Sequence, residues 1–130
     1  MLLKNKIVII SGIGPGLGVK LAVEAAREGA AGVVLAARSA DKLDDAEARI
    51  KALKSETATL KCATDITDRA QCEHLAAATV EKFGRIDALV NSAFLHGDMD
   101  YVSSAKLDDW HAVLDTNLIG TLKLTQCVLP

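Results

Sequence analysis

The stretch Ser11–Gly18, SGIGPGLG, is the part of the chain best equipped for chemistry. Gly12, Gly14, Gly16 and Gly18 leave little but backbone on its surface. A loop of this kind opening onto a helix binds phosphate, because a helix N-terminus presents unpaired N–H groups and a partial positive charge. The spacing excludes two common phosphate loops. No register fits GxGxxG, and no Gly-Lys pair exists to fit GxxxxGK[ST]. What fits is Gly12-x-x-x-Gly16-x-Gly18 with Ser11 in front; Pro15 has no N–H to offer. The plain alternative is a flexible glycine-rich turn. Arg38, in VVLAARSADK, is the next candidate, with Lys42 close behind. A guanidinium is a bidentate fork for phosphate, and the alternative is a solvated loop arginine. Asp65, in ATDITD, is an acceptor that serves either a ligand or an Asx-turn or helix cap, and Asp68 offers the same local service. Asn117, in DTNLIG, is a poor helix former set in a helical stretch, on the face shared with Val113 and Gly120. Its alternative is a core Asn satisfied by its neighbours.

Metal chemistry is not expected. His74, His96 and His111 and the odd set Cys62, Cys72 and Cys127 lack metal-ligand spacing. The cysteines read as small buried hydrophobes in a reducing, cytoplasmic compartment. His74 and His111 read as helix-surface residues, whereas His96 falls in a loop where it can touch a substrate. A net charge of −2 points away from nucleic acid and from an anionic membrane. No apolar run reaches membrane-spanning length, and Met1–Leu3 is too short for a signal peptide.

The elements that must hold these residues alternate strictly. Lys6–Ile10 (KIVII) is too short for a helix and reads as a buried strand. Leu17–Glu28 follows as a helix, with Gly29 as its cap. Val33–Ala37 is a second strand, and Ser39–Lys54 an amphipathic helix with Ser39 as candidate N-cap. Thr57–Ala63 is a third strand, and Asp68–Phe83 a helix closed by Gly84. Ile86–Asn91 is a fourth strand. A loop from Ser92 to about Lys106 leads into one long helix, Leu107–Leu129. With 50% hydrophobic but only 3% aromatic residues, the core must be built from Ala, Val, Ile and Leu. Repeated β–α units with right-handed crossovers imply an α/β fold, a Rossmann-type doubly wound parallel sheet with helices on both faces, stopping after the fourth strand and its helix. The length suits one domain or part of one, and residues 1–130 are expected to form a dinucleotide-binding Rossmann domain.

The glycine loop resembles the TGxxxGxG loop of the short-chain dehydrogenase/reductase family, with Ser11 for Thr, and four further positions resemble the family in order: Arg38, Asp65, Asn91 and Asn117. The resemblance spans the whole chain. It implies an NAD(P)(H)-dependent oxidoreductase that transfers hydride between nicotinamide and a small alcohol or carbonyl substrate. It implies that Gly12 makes the sharp turn, Gly16 lets the backbone approach the pyrophosphate and Gly18 lets the helix pack closely on the sheet, with Gly14 adding turn freedom and Leu17 opening the helix at the cofactor. An acidic residue at the end of the second strand would select NAD; Ala37 stands there and Arg38 follows, so NADP(H) is favoured over NAD(H). Asp65, with Ile66 beside it, is expected at the adenine. Asn91-Ser92-Ala93 is expected at the cofactor, with Asn91 holding the strand ends together. The family usually has Asn-Asn-Ala-Gly here, so Ser92 and Phe94 depart from it. Asn117 is expected in the catalytic proton relay, where the family's main chain is bulged.

The resemblance also sets out what is not present. In the family a Ser and a Tyr-x-x-x-Lys pair follow this helix and carry the acid/base work. Tyr101 is the chain's one tyrosine, Lys106 is at the wrong spacing, and both precede Asn117. The chain as written is therefore expected to be the N-terminal half of the enzyme, inactive alone, continuing past Pro130; the alternative is a non-catalytic dinucleotide-binding module. Trp110, Val113, Leu114, Leu118, Ile119, Leu122, Leu124 and Val128 spread around most of the last helix. A helix apolar nearly all round is buried on more than one side, so a homo-oligomer through Leu107–Leu129 is expected.

Overall fold

Four short strands pair into one all-parallel sheet in the computed structural model, which describes all 130 residues. The strands are β1 (Ile7–Ser11), β2 (Gly32–Ala37), β3 (Ala58–Ala63) and β4 (Ala88–Asn91), in the order β3-β2-β1-β4. The helices are α1 (Leu17–Arg27), α2 (Ala40–Ala52), α3 (Arg69–Phe83), α4 (Leu107–Leu114) and α5 (Thr121–Val128). The Rossmann-type α/β reading therefore holds, with helices on both faces.

Strand side chains point alternately to opposite faces, and both faces are covered, so β1 and β2 are apolar but for Ser11. Val8, Ile10, Val33 and Leu35 pack with Val19 and Ala22 of α1 and Leu43 and Ile50 of α2. Ile7, Ile9, Val34 and Ala36 pack on the other face with Cys72 and Leu75 of α3 and Leu124 of α5. Each fully buried Ile, Leu or Val contributes roughly 1.5–3 kcal/mol. Cys62 and Cys72 are buried free thiols, and Cys127 is half-buried.

Differences from the sequence reading sit at element ends. β4 starts at Ala88 rather than Ile86 because Asp87 is diverted: its Oδ2 accepts the β1 N–H of Ile7 at 2.8 Å, and Arg85 Nε donates to its Oδ1 at 3.0 Å. Ser39 occupies the N-cap position of α2 but makes no side-chain capping bond. Asp68 does cap α3, accepting from Ala70 N and Gln71 N. Gly29 and Gly84 close their helices at φ +83° and +78°, a left-handed conformation that costs glycine little.

The largest difference is the long helix. Asp115–Gly120, between α4 and α5, is a π-helical segment. Polar Asp115, Thr116 and Asn117 open it, and Gly120 ends it under the side chain of Ile66. A Cβ on Gly120 would lie 3.0 Å from Ile66 Cγ1 and from Asp115 O, so only glycine fits without displacement.

The two sheet edges differ. At β3 the Nζ of Lys82 donates to Thr59 O at 2.7 Å, which blocks one carbonyl of that edge. The other edge, β4, pairs only with β1. No helix is long and apolar enough to cross a membrane.

Candidate functional site

The C-terminal ends of the strands meet at a cleft of about 1030 Å³. Open α/β sheets bind their ligands at such a crevice, where the strand order reverses. Here the reversal lies at β1, between β2 and β4.

The floor is the glycine turn. Gly12 has φ +87°, and a Cβ there would lie 2.2 Å from Ala93 N, inside the β4–α4 loop. Gly12 N and Ile13 N both donate to Ala36 O, at 2.9 and 3.1 Å, which pins the turn to the end of β2. Gly18 is also forced, but by a different neighbour than expected. A Cβ there would lie 2.1 Å from Gly12 O, so α1 closes on its own turn rather than on the sheet. Gly14 and Gly16 have nothing within 4 Å of a Cβ. Gly16 is the N-cap of α1, with no side-chain cap and no acidic residue in the first turn. The N–H groups of Leu17 and Gly18 thus open the helix at the cleft without an internal partner, beside the exposed side chain of Leu17, while Val19 N donates to Gly14 O at 3.3 Å. Ser11 is buried beneath them, its carbonyl accepting Ser92 N at 3.0 Å.

One wall is the β2–α2 connection. Arg38 and Lys42 line it, are exposed, and enter no salt bridge, although seven ion pairs form elsewhere. Arg38 also draws the carboxyl of Asp65 downward, behind the larger effect of the Thr67 hydrogen bonds.

A second wall is the β3–α3 loop. Asp65 Oδ1 accepts from Thr67 N at 2.9 Å and from Thr67 Oγ1 at 2.7 Å, an Asx-turn that holds its pKa below the usual carboxylate value. Its second oxygen has no hydrogen bond. Ile66 is buried against Leu124 and Gly120 and shows only its edge to the cleft.

The third wall is the loop after β4. Ser92 and Ala93 line the cleft, and so does Phe94, 70% exposed and edge-on to His96 at 5.6 Å between ring centres. Asn91 is not in the cleft wall. Its Nδ2 donates to Thr125 Oγ1 at 3.1 Å, tying β4 to α5 rather than to a neighbouring strand end. Asn117 is not in the wall either. Its Oδ1 accepts Leu95 N at 2.7 Å and its Nδ2 donates to Leu95 O at 3.0 Å, so it grips both sides of one residue in the loop. Tyr101 is 85% exposed and outside the cleft. His74 and His111 are exposed on their helices, and no cluster of metal-ligating side chains forms.

Twelve of the ligand-binding candidates named in the sequence therefore meet at one cleft: Ser11, Gly12, Gly14, Gly16, Leu17, Gly18, Arg38, Lys42, Asp65, Ile66, Ser92 and Ala93. The sequence reading passed over Thr64, Thr67, Leu95, Ala112, Asp115 and Thr116. Thr64 and Thr67 flank Asp65, and a polar cluster just past a buried strand is their signal. Asp115 and Thr116, which open the π segment, show none.

The fold and the cleft define a Rossmann-type α/β protein with a glycine turn at its switch point. A model of the short chain dehydrogenase family matches residues 6–130, and the chain belongs to that family. An uncharacterized oxidoreductase of Listeria innocua is 35% identical over 130 residues, which cover 100% of this chain and 51% of the relative. Among solved structures, levodione reductase is similar at TM-score 0.92 and 32% identity, over 97% of this chain and 48% of that one. An actinorhodin polyketide ketoreductase variant with NADPH is similar at TM-score 0.86 and 28% identity, over 96% of this chain and 46% of that one. The chain thus spans about half the length of each of these three proteins.

Proposed function

We propose that residues 1–130 form the dinucleotide-binding part of an NAD(P)(H)-dependent oxidoreductase that acts on a small alcohol or carbonyl compound. The observation that carries this reading is the juxtaposition of the uncapped glycine turn of α1 with the unpaired guanidinium of Arg38 across one cleft. The residues fit the group. Gly14 and Gly16 leave a cradle that any side chain would fill, the unpaired N–H groups of Leu17 and Gly18 adjoin it, and a free cation stands at the end of β2. Gly16 and Leu17 would hold the pyrophosphate, and Arg38 with Lys42 the 2′-phosphate of NADP(H), in preference to the bare ribose of NAD(H). Asp65 and Ile66 would hold the adenine, and Ser92 and Ala93 the ribose side. The nicotinamide supplies the hydride when bound.

Asn117 serves the reaction by shaping the wall: its grip on Leu95 sets the loop that carries Ser92–Phe94. The π segment places Asn117 in a distortion of the kind common at functional sites, its carbonyl accepting Thr121 Oγ1 at 3.0 Å, and the proton-relay role is assigned there. Tyr101 and Lys106 both lie outside the cleft. Turnover is accordingly assigned to a Ser and a Tyr-x-x-x-Lys pair that these residues do not supply, and these residues alone bind without reacting. A cytoplasmic setting fits three cysteines that are odd in number. A homo-oligomer through α4 and α5 fits their uncovered apolar side chains.

The test is a titration of the chain with NADPH and NADH, followed by an assay of NADPH-dependent carbonyl reduction over a substrate panel. Binding without turnover is expected. Failure of both dinucleotides to bind would sink the reading. Robust turnover lost on Tyr101→Phe would overturn the assignment of the acid/base to another segment.

A further inference from the structure

The β3–α3 loop is held from behind by a group the sequence reading did not single out. Lys123, half-buried on α5, donates from Nζ to Thr67 O at 2.7 Å. Thr67 in turn donates twice, through N and Oγ1, to one oxygen of Asp65. Three residues thus form a relay of hydrogen bonds from a helix to a carboxylate on the cleft wall. Its geometry leaves Asp65 Oδ2 free and orients it, because Oδ1 is anchored at two points. The ammonium also faces Asp65 electrostatically, as Arg38 does, and the two cations help keep the carboxylate ionised. Ile66, between the two anchored residues, is seated on Gly120. The loop therefore rests on the helix at two points, one polar and one apolar.

We propose that Lys123 is a positioning residue for the adenine end of the cleft: by fixing Thr67 it aims Asp65 Oδ2 at the exocyclic amine of the cofactor's adenine. The inference rests on the dinucleotide reading above and goes beyond it in naming a residue on α5, outside the cleft, that sets base recognition. A fixed ionised acceptor favours an amine donor over a carbonyl oxygen at the same place, so the site discriminates adenine from hypoxanthine. Lys123 acts on that discrimination alone and touches neither phosphate nor nicotinamide.

The experiment compares NADPH with its hypoxanthine analogue, in which the amine is replaced by oxygen, by fluorescence titration of the chain and of Lys123→Met and Lys123→Arg. The unaltered chain is expected to prefer NADPH by about tenfold. In Lys123→Met the preference should fall to within about twofold, while Lys123→Arg, which keeps a donor and the charge, restores it. Thr67→Ala, which takes one bond from Asp65 without touching α5, should move the preference the same way. Full preference retained in Lys123→Met and Thr67→Ala, or in whichever of them folds, overturns the proposal. Equal binding of both analogues by the unaltered chain overturns it too, and leaves the dinucleotide reading standing. Binding of neither sinks both.

Discussion

At the scale of single residues, the glycine turn separates two requirements that look alike in sequence. Gly12 and Gly18 are demanded by the chain itself, since a Cβ at either would lie 2.1–2.2 Å from backbone. At Gly16 a Cβ would meet no heavy atom within 4 Å. Gly16→Val is therefore expected to leave the fold intact by circular dichroism and to abolish dinucleotide binding, whereas Gly12→Ala should cost the fold. An unchanged titration for Gly16→Val would remove the phosphate role from the turn. Arg38 permits a second separation. Arg38→Ala should weaken NADPH by about tenfold or more, the scale of a charge-assisted contact, and NADH by much less. Equal losses for the two would show that Arg38 does not read the 2′-phosphate. Both residues were recognisable in the sequence because backbone freedom and fixed charge are properties of residue type. The partners of Asn91, Asn117 and Lys123 were not, because those hydrogen bonds span 34, 22 and 56 residues and exist only once α5 has docked.

At the scale of elements, periodicity located every strand and all helices but misread one region as continuous. Leu107–Leu129 carries apolar residues at helical spacing throughout, and a π turn inserted at Asp115–Gly120 leaves no mark in that pattern. The resemblance, not the spacing, pointed to a bulge. The α2–β3 contact shows what a surface element adds to stability. Glu47 accepts from Lys51 Nζ at 2.8 Å and Thr59 Oγ1 at 2.7 Å, with Lys61 at 3.3 Å, and its side chain is 17% exposed. The Lys51 hydrogen bond, then that of Thr59, lowers its pKa to about 2 from an ordinary 4.5. A lowered folded-state pKa means stability that is fully present above about 4.5 and lost as the pH falls through about 2. Glu47→Gln should thus cost on the order of 1–2 kcal/mol at pH 7, after screening, with the difference vanishing only below about pH 2. A pH-independent difference in denaturant midpoints would show that the carboxylate's charge is not what matters.

At the scale of the molecule, one helical face lacks cover. Leu107, Trp110, Leu114, Leu118, Ile119 and Leu122 stand 44–67% exposed along α4, the π segment and α5, while Leu124 is fully buried on the inner side. An apolar strip of this kind marks an interaction surface. Light scattering should report a dimer or larger species, and Leu118→Glu with Leu122→Glu should drive it toward monomer. A monomeric parent chain at micromolar concentration would count against the strip as a self-association face.

The pairing of β1 with both neighbours sets an order in time. Ile7 meets Gly32 on one side, and on the other its N–H meets Asp87, across 80 residues. Closing the longer loop costs about 1 kcal/mol more in chain entropy than closing the shorter one. The central strand must therefore wait, half-paired, for the partner that arrives last. During refolding from denaturant, pulsed hydrogen exchange should find the β2 amides protected before those of β4. Simultaneous protection would mean that β4 docks in the same step as the β1–β2 pair, and that the chain has no interval in which its most apolar strand stands open on one side.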